Sequence, residues 1–314
     1  MDREPISSRS LAAAITKSAS KQTYYTIRFF ADRERVADAY RSYGYFRWVD
    51  DLLDANLGTQ SEKLAFINRQ QSLLDACYRG EMPEDVCTEE WMLVDMVRND
   101  TEENSGLQAY LRNMMGVMDF DARRRGRLIT QAELVEYSRM LATAVTEALF
   151  YFIGHEDPKP CPEVRYLAVT AAHITHMLRD TFEDTASGYY NIPREVLEMQ
   201  GITADDLQSQ AYWQWVKKRV QLARRYFDLG KACIANVKNP RRRLAGYAYT
   251  ARFEWVLNAI ERDNYNLRPD YSQRKSLQAG LWMVWSVLSF LVTSLWKKAG
   301  DPALAVQTLR VDKQ

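Results

Sequence analysis

Apolar residues return every third or fourth position through almost the whole chain, and the alternating pattern of a half-buried strand is nearly absent. Such a chain can bury its apolar stripes only by packing helix on helix, so the fold class it predicts is all-α. Helical spacing covers roughly residues 33 to 55, 62 to 79, 88 to 118, 131 to 153, 163 to 184, 205 to 236 and 241 to 264. Thr130-Gln-Ala-Glu133 has the form of a capping box at one helix start. Breaks fall at residues 80 to 83, 155 to 160, Gly188 to Pro193 and Asn239-Pro240, all short polar turns. No long linker divides the chain, which favours a single domain over residues 1–275.

Two acidic stripes stand out against this background. Asp50-Asp51-x-x-Asp54 lies in one predicted helix and Asp180-x-x-Glu183-Asp184 in another. Residues four apart share a helix face, so Asp50 with Asp54, and Asp180 with Asp184, each direct two carboxylates one way. Upstream at the same pitch stand Tyr43 and Arg47 on the first face, and His173 and His176 on the second. An isolated acidic pair is ordinarily a solvated face. Two pairs, each preceded by an arginine (Arg47, Arg179) and by apolar neighbours, suit a hard cation carrying phosphate instead. Mg²⁺ takes oxygen ligands from a few carboxylates and completes its shell with water and substrate phosphate.

The net charge of +1 gives no reason to expect a nucleic-acid partner. The basic runs Arg123 to Arg127 and Arg241 to Arg243 adjoin turn formers, lack interleaved aromatics and read as solvated loops. Cys77, Cys87, Cys161 and Cys233 are scattered without a C-x-x-C, and no secretory leader pattern opens the chain, which points to a reducing cytoplasmic compartment. Residues 276–296 carry no charge and are flanked by Arg274, Lys275, Lys297 and Lys298. Segment 276–298 is therefore expected as a C-terminal hydrophobic helix, either crossing or touching a membrane or packed on the domain.

The stretch Tyr43-Gly-Tyr-Phe-Arg47-Trp-Val-Asp50-Asp51-Leu-Leu-Asp54 resembles the first aspartate-rich motif of the squalene and phytoene synthases. Leu178-Arg179-Asp180-Thr-Phe-Glu183-Asp184, followed by Gly188 and Ile192-Pro193, resembles their second. Weaker similarity runs from Thr23-Tyr24-Tyr25 through Met118-Asp119 and Tyr137 to Asn264-Tyr265-Asn266-Leu267, covering most of the chain up to about residue 275. The resemblance implies one isoprenoid-synthase helical domain with a central cavity, about three Mg²⁺ ions and prenyl diphosphate substrates. It assigns Asp50, Asp54, Asp180 and Asp184 to metal, Tyr43 to the catalytic group, and Arg47, Tyr137, His173, His176 and Arg179 to diphosphate. Squalene formation in that family takes NADPH and phytoene formation does not; the chain has no G-x-G-x-x-G fingerprint that would decide between them.

The chain also departs from the family pattern. His173 and His176 stand where Gln and Asn are usual, Asn191 and Phe253 where tyrosines are usual, Asp270 where an arginine is usual with Arg268 nearby, and Thr143 and Thr146 where two glycines are usual. The leading expectation is a transferase joining two prenyl diphosphates head to head. A cyclase acting on one prenyl diphosphate and a non-catalytic, membrane-attached assembly protein are the alternatives; retention of all four aspartates opposes the last.

Overall fold

The structure, a computed structural model, describes residues 7–56, 58–81 and 84–271. Among them the chain is helical throughout, with one isolated bridge between Arg127 and Tyr189 and no strand. The helices are α1 (Ser8–Ala19), α2 (Lys21–Phe30), α3 (Val36–Asp51), α4 (Gln60–Tyr78), α5 (Trp91–Asn99), α6 (Gly106–Arg124), α7 (Gln131–Phe152), α8 (Leu167–Arg179), α9 (Thr181–Ala186), α10 (Arg194–Gln200), α11 (Gln210–Ala235) and α12 (Pro240–Arg262). A π-helical turn (Leu52–Asn56) continues α3, and a 3-10 turn (Val164–Tyr166) leads into α8. These residues form two compact units: residues up to Arg123 together with Thr143–Glu156, and Arg124–Ala142 together with those from Asp157 onward.

In the first unit α3 packs on α1 and α5. Its inner face, Ala39, Tyr40, Tyr45, Phe46 and Val49, is buried. A polar chain fixes its rotation: the Tyr45 hydroxyl donates to Gln70 (2.8 Å), Gln70 donates to Glu90 (2.8 Å), and Arg69 clamps both Glu90 oxygens at 2.8 Å. α4 starts from a capping box in which Thr59 Oγ1 accepts the Glu62 N–H and Glu62 accepts the Thr59 N–H, satisfying two otherwise orphan donors.

In the second unit α8 packs on α11 and α12 around Ala171, Ala172, Ile174, Val216, Val220, Phe227, Leu257 and Ile260. A Cβ at Gly230 would lie 2.6 Å from the Cβ of Ala168, so only glycine lets α11 come this close to the start of α8. At its other end, Tyr212 of α11 feels Thr181 and Asp184, beyond the end of α8. Those two points fix α8 and α11 as antiparallel. The capping box expected at Thr130 is present, with Thr130 N–H to Glu133 at 2.7 Å and Glu133 N–H to Thr130 Oγ1 at 3.1 Å.

Several helices differ from the sequence expectation. The run expected over 88 to 118 is two helices, parted by a polar turn in which Asn104 takes a left-handed conformation and Ser105 Oγ caps the N–H of Gln108. The run over 163 to 184 breaks at Asp180, and the run over 33 to 55 turns π-helical after Asp51. α1, α2 and α10 fell outside the predicted set. No helix among the described residues is long and apolar enough to cross a membrane, and the hydrophobic segment 276–298 lies outside them.

Candidate active site

Each acidic motif sits where a helix loses its regular pitch. In the first unit, Asp50 and Asp51 close α3 while Asp54 belongs to the π-helical turn. The wider π turn rotates Asp54 away from strict α register with Asp50; such interruptions are frequent at functional sites. Arg47 lies between the carboxylates, 3.3 Å from Asp50 and in closer contact with Asp51. Burial raises the Asp50 carboxyl to about 6, Asp54 adds to the rise, and Asp121 of α6 adds further, against the opposing charge of Arg47. Asp121 therefore joins this acidic group, and no sequence signal had marked it. Tyr43 stands one turn before Arg47, whose charge it supports. Phe46 lies behind, edge-on to Tyr45 (5.1 Å) and to Tyr110 (5.4 Å).

In the second unit, Asp180 is the hinge between α8 and α9, with φ −97° and ψ 7°. The Asp184 N–H still reaches the Asp180 carbonyl at 2.8 Å, which keeps the two side chains one turn apart. Their electrostatics are opposite. Burial opposes ionisation of Asp180, but hydrogen bonds from His176 (2.8 Å) and from the Arg179 fork hold its carboxyl well below the usual range. Burial lifts Asp184 to about 6, a hydrogen bond from Asn191 works against the rise, and the charge of Asp180 adds to it.

Asn191 links this site to the basic run. Buried at 3% exposure, it donates to Asp184 (2.6 Å) and accepts from Arg124 (2.8 Å). Arg124 was expected in a solvated loop, but it is 6% exposed and lies over the rings of Tyr137 (5.1 Å) and Tyr189 (4.9 Å). Arg242 of the second basic run is buried as well. Gly188, at φ +82°, turns the chain so that its carbonyl accepts the Gly126 N–H at 2.7 Å. That turn ties the loop carrying Asn191 to the loop carrying Arg124.

His173 and His176 do not share an environment. The His176 side chain is half exposed and contacts Asp180, and its ring lies 6.5 Å from that of Phe253. His173 is buried, 3.2 Å from Ser138 Oγ and edge-on to Tyr137 at 4.8 Å. Burial, and then the charges of His176, Arg219 and Arg124, hold its imidazole neutral well below its ordinary value. A neutral, enclosed ring brings no charge to an anion. Thr146, in place of a usual glycine, is buried with its hydroxyl unbonded.

Among the described residues no three His, Cys, Asp or Glu side chains enclose a metal ion by themselves. Mg²⁺ does not need such a cage, because one or two carboxylates suffice where substrate phosphate and water fill the shell. The donor set fits that ion: oxygen ligands only, with Asp50 and Asp184 both lifted to about 6 by burial and by neighbouring carboxylates, a repulsion that a divalent cation relieves.

Comparison with known proteins agrees with the helical architecture. Over 83% of this chain and 95% of the other, the fold matches a crystal structure of a squalene synthase from Alicyclobacillus acidocaldarius, with a TM-score of 0.66 at 20% identity. It matches a ligand-bound dehydrosqualene synthase over 91% and 97% of the two chains, with a TM-score of 0.67 at 17% identity. The protein thus has the all-α isoprenoid-synthase fold. The squalene/phytoene synthase family profile matches residues 16–280, and the chain belongs to that family. The presqualene diphosphate synthase of Zymomonas mobilis is 29% identical over 62% of this chain and 63% of its own length. Phytoene synthase 1 of Solanum lycopersicum is 25% identical over 74% and 56% respectively. The chain spans about six tenths of the length of the curated relatives it matches.

Proposed function

We propose that this protein is a Mg²⁺-dependent prenyltransferase that joins two prenyl diphosphates, farnesyl or geranylgeranyl, head to head within one catalytic domain over residues 1–275. The observation that carries the reading is the pair of acidic motifs, each at a helix irregularity and each holding an aspartate crowded by burial and like charge: Asp50 beside Arg47, and Asp184 within the field of Arg124 and next to the Arg179–Asp180 pair. In the first step one allylic C–O bond breaks, new C–C bonds close a cyclopropane, and one diphosphate and one proton leave. Asp50 and Asp54, whose field Asp121 strengthens, would hold metal for one diphosphate, and Asp180 and Asp184 would hold it for the other. Bound there, Mg²⁺ supplies Lewis acidity and a template for the departing diphosphate. Arg47, Arg179 and His176 donate charge-assisted hydrogen bonds to phosphate oxygens; Tyr43 stands one turn before Arg47, and Tyr137 of α7 lies against His173 and Arg124. His173 orders Tyr137 from behind. Phe46, buried against Tyr45 and Tyr110, belongs to the apolar wall that would keep an allylic cation from water.

Incubating the protein with Mg²⁺ and farnesyl or geranylgeranyl diphosphate, with and without NADPH, tests the reading by mass spectrometry of the products and by diphosphate release. A C30 or C40 product that chelation abolishes is the expected result, and its need for NADPH separates a squalene-like from a phytoene-like product. The second reading, cyclisation of one prenyl diphosphate, draws on Thr146 filling space that a glycine usually leaves open; diphosphate release with only C15 or C20 products would establish it.

A further inference from the structure

α11 buries a line of apolar residues, Tyr212, Trp215, Val216, Val220, Ala223 and Phe227. Arg219 falls on that line, one turn after Trp215 and Val216 and one turn before Ala223. Two other basic residues of this helix have acidic partners, Arg224 with Glu261 at 2.7 Å and Lys231 with Glu254 at 2.5 Å, and Lys217 lies over the rings of Trp213 and Tyr265. Arg219 has no carboxylate partner among the described residues; its guanidinium rests 6.0 Å from the Trp215 ring centroid. Burial pushes it down to about 10, which leaves it fully charged at neutral pH. A cation withdrawn from water without a counter-ion is costly to the folded chain.

Helix register shows where that charge lies. Tyr212 is level with Thr181 and Asp184, and Gly230 is level with Ala168 on the antiparallel α8. Arg219 follows Tyr212 by seven residues, about two turns, which brings it level with His173 and His176. Its charge accordingly acts on the His173 ring. His176 and Arg179 are engaged with Asp180, whereas His173, level with Arg219, is enclosed and neutral, so that position of α8 offers an anion no charge of its own.

We propose that Arg219 is a diphosphate-binding residue of the second acidic site, and that its missing counter-ion arrives with the substrate. The proposal rests on the prenyl diphosphate reading above. The guanidinium fork matches phosphate oxygens in two-point contact. It supplies from α11 a direct charge contact on the side of the site where the family pattern has amides on α8 and this chain has histidines.

Calorimetric titration of the full chain with inorganic diphosphate, in Mg²⁺ and separately in EDTA, tests this with Arg219→Gln and Arg219→Lys, alongside the melting temperature of each ligand-free protein. Arg219→Gln is expected to weaken diphosphate binding roughly 10- to 100-fold, Arg219→Lys to weaken it less, and the ligand-free Gln variant to melt at or above the wild-type temperature. Unchanged affinity in Arg219→Gln would overturn the proposal and leave the prenyl diphosphate reading standing. A melting temperature several degrees lower in both variants would mark Arg219 as a structural residue of the α8–α11 contact and also overturn it. Absence of diphosphate binding by the wild type in both media would overturn the proposal and the functional reading together.

Discussion

At the scale of single residues, the site sets a carboxylate whose protein partners outweigh its burial against carboxylates whose partners do not. Asp180 is neutralised within the protein by Arg179 and His176, whereas Asp50 and Asp184 are crowded by burial and by like charge. Replacing Asp50 or Asp184 with Asn removes the charge that draws in a cation, and turnover on prenyl diphosphate is expected to fall by at least about 100-fold in a steady-state diphosphate-release assay. Full turnover in Asp50→Asn would remove the first motif from the reaction. Asn191→Ala acts differently, because it leaves both Arg124 and Asp184 without their buried amide partner. A loss of about 1–3 kcal/mol is expected in chemical denaturation, together with a higher Mg²⁺ requirement for activity. Stability lost without a change in Mg²⁺ requirement would restrict Asn191 to a structural role. The four motif aspartates were legible in the sequence because they repeat at helical pitch. Asp121 was not, since it reaches the first motif only through the packing of α6. The burial of Arg124 was equally hidden, because a run of arginines beside a glycine looks the same whether one of them turns inward or all face water.

At the scale of elements, the sequence pattern announced long helices better than the places where they break. Apolar periodicity runs straight through Asp180 and Asp51, and neither glycine nor proline marks the hinge or the π turn there. The break after Asn99 is similar: its signal is a cluster of Asp, Thr, Glu, Asn and Ser that caps and turns the chain without proline. α1 and α2 carry little signal in the sequence, because α1 buries only Ser8, Ala12 and Thr16, and α2 buries nothing, so neither has a long apolar stripe. The α8–α11 contact depends on one small residue. At Gly230 even a methyl group would meet Ala168 backbone atoms at 2.7–2.8 Å, which no rotamer change relieves. Gly230→Ala is therefore expected to force the helices apart and cost about 1–3 kcal/mol, read as a lower denaturant midpoint. The double variant with Ala168→Gly should recover part of that loss, and its failure to do so would place the cost in α11 itself. Thr59→Ala, which removes one half of the α4 capping box, is expected to cost about 1 kcal/mol and to leave activity unchanged.

At the scale of the whole molecule, each compact unit carries one acidic motif and holds its motif helix by its own polar network. In the first unit the keystone is Glu90, whose side chain is 1% exposed although it is fully ionised at neutral pH. Burial alone would raise its carboxyl, yet hydrogen bonds from Arg69, the Cys87 N–H and Gln70 more than reverse this and lower it to about 2 from an ordinary 4.5. A carboxyl depressed in the folded state stabilises the fold fully above its unfolded value. That contribution is lost as the pH falls from about 4.5 toward 2, because the unfolded chain then takes up the proton more readily. Unfolding monitored by circular dichroism should thus show wild type losing stability steeply over that window. Glu90→Gln should show a shallower acid slope and be less stable than wild type at pH 7 by about 2 kcal/mol, since Arg69 loses its charged partner while Gln70 keeps a neighbour. Parallel acid profiles for the two proteins would mean that α3, and with it Asp50, is held in place by packing of Tyr45 and Phe46 and not by the Glu90 network.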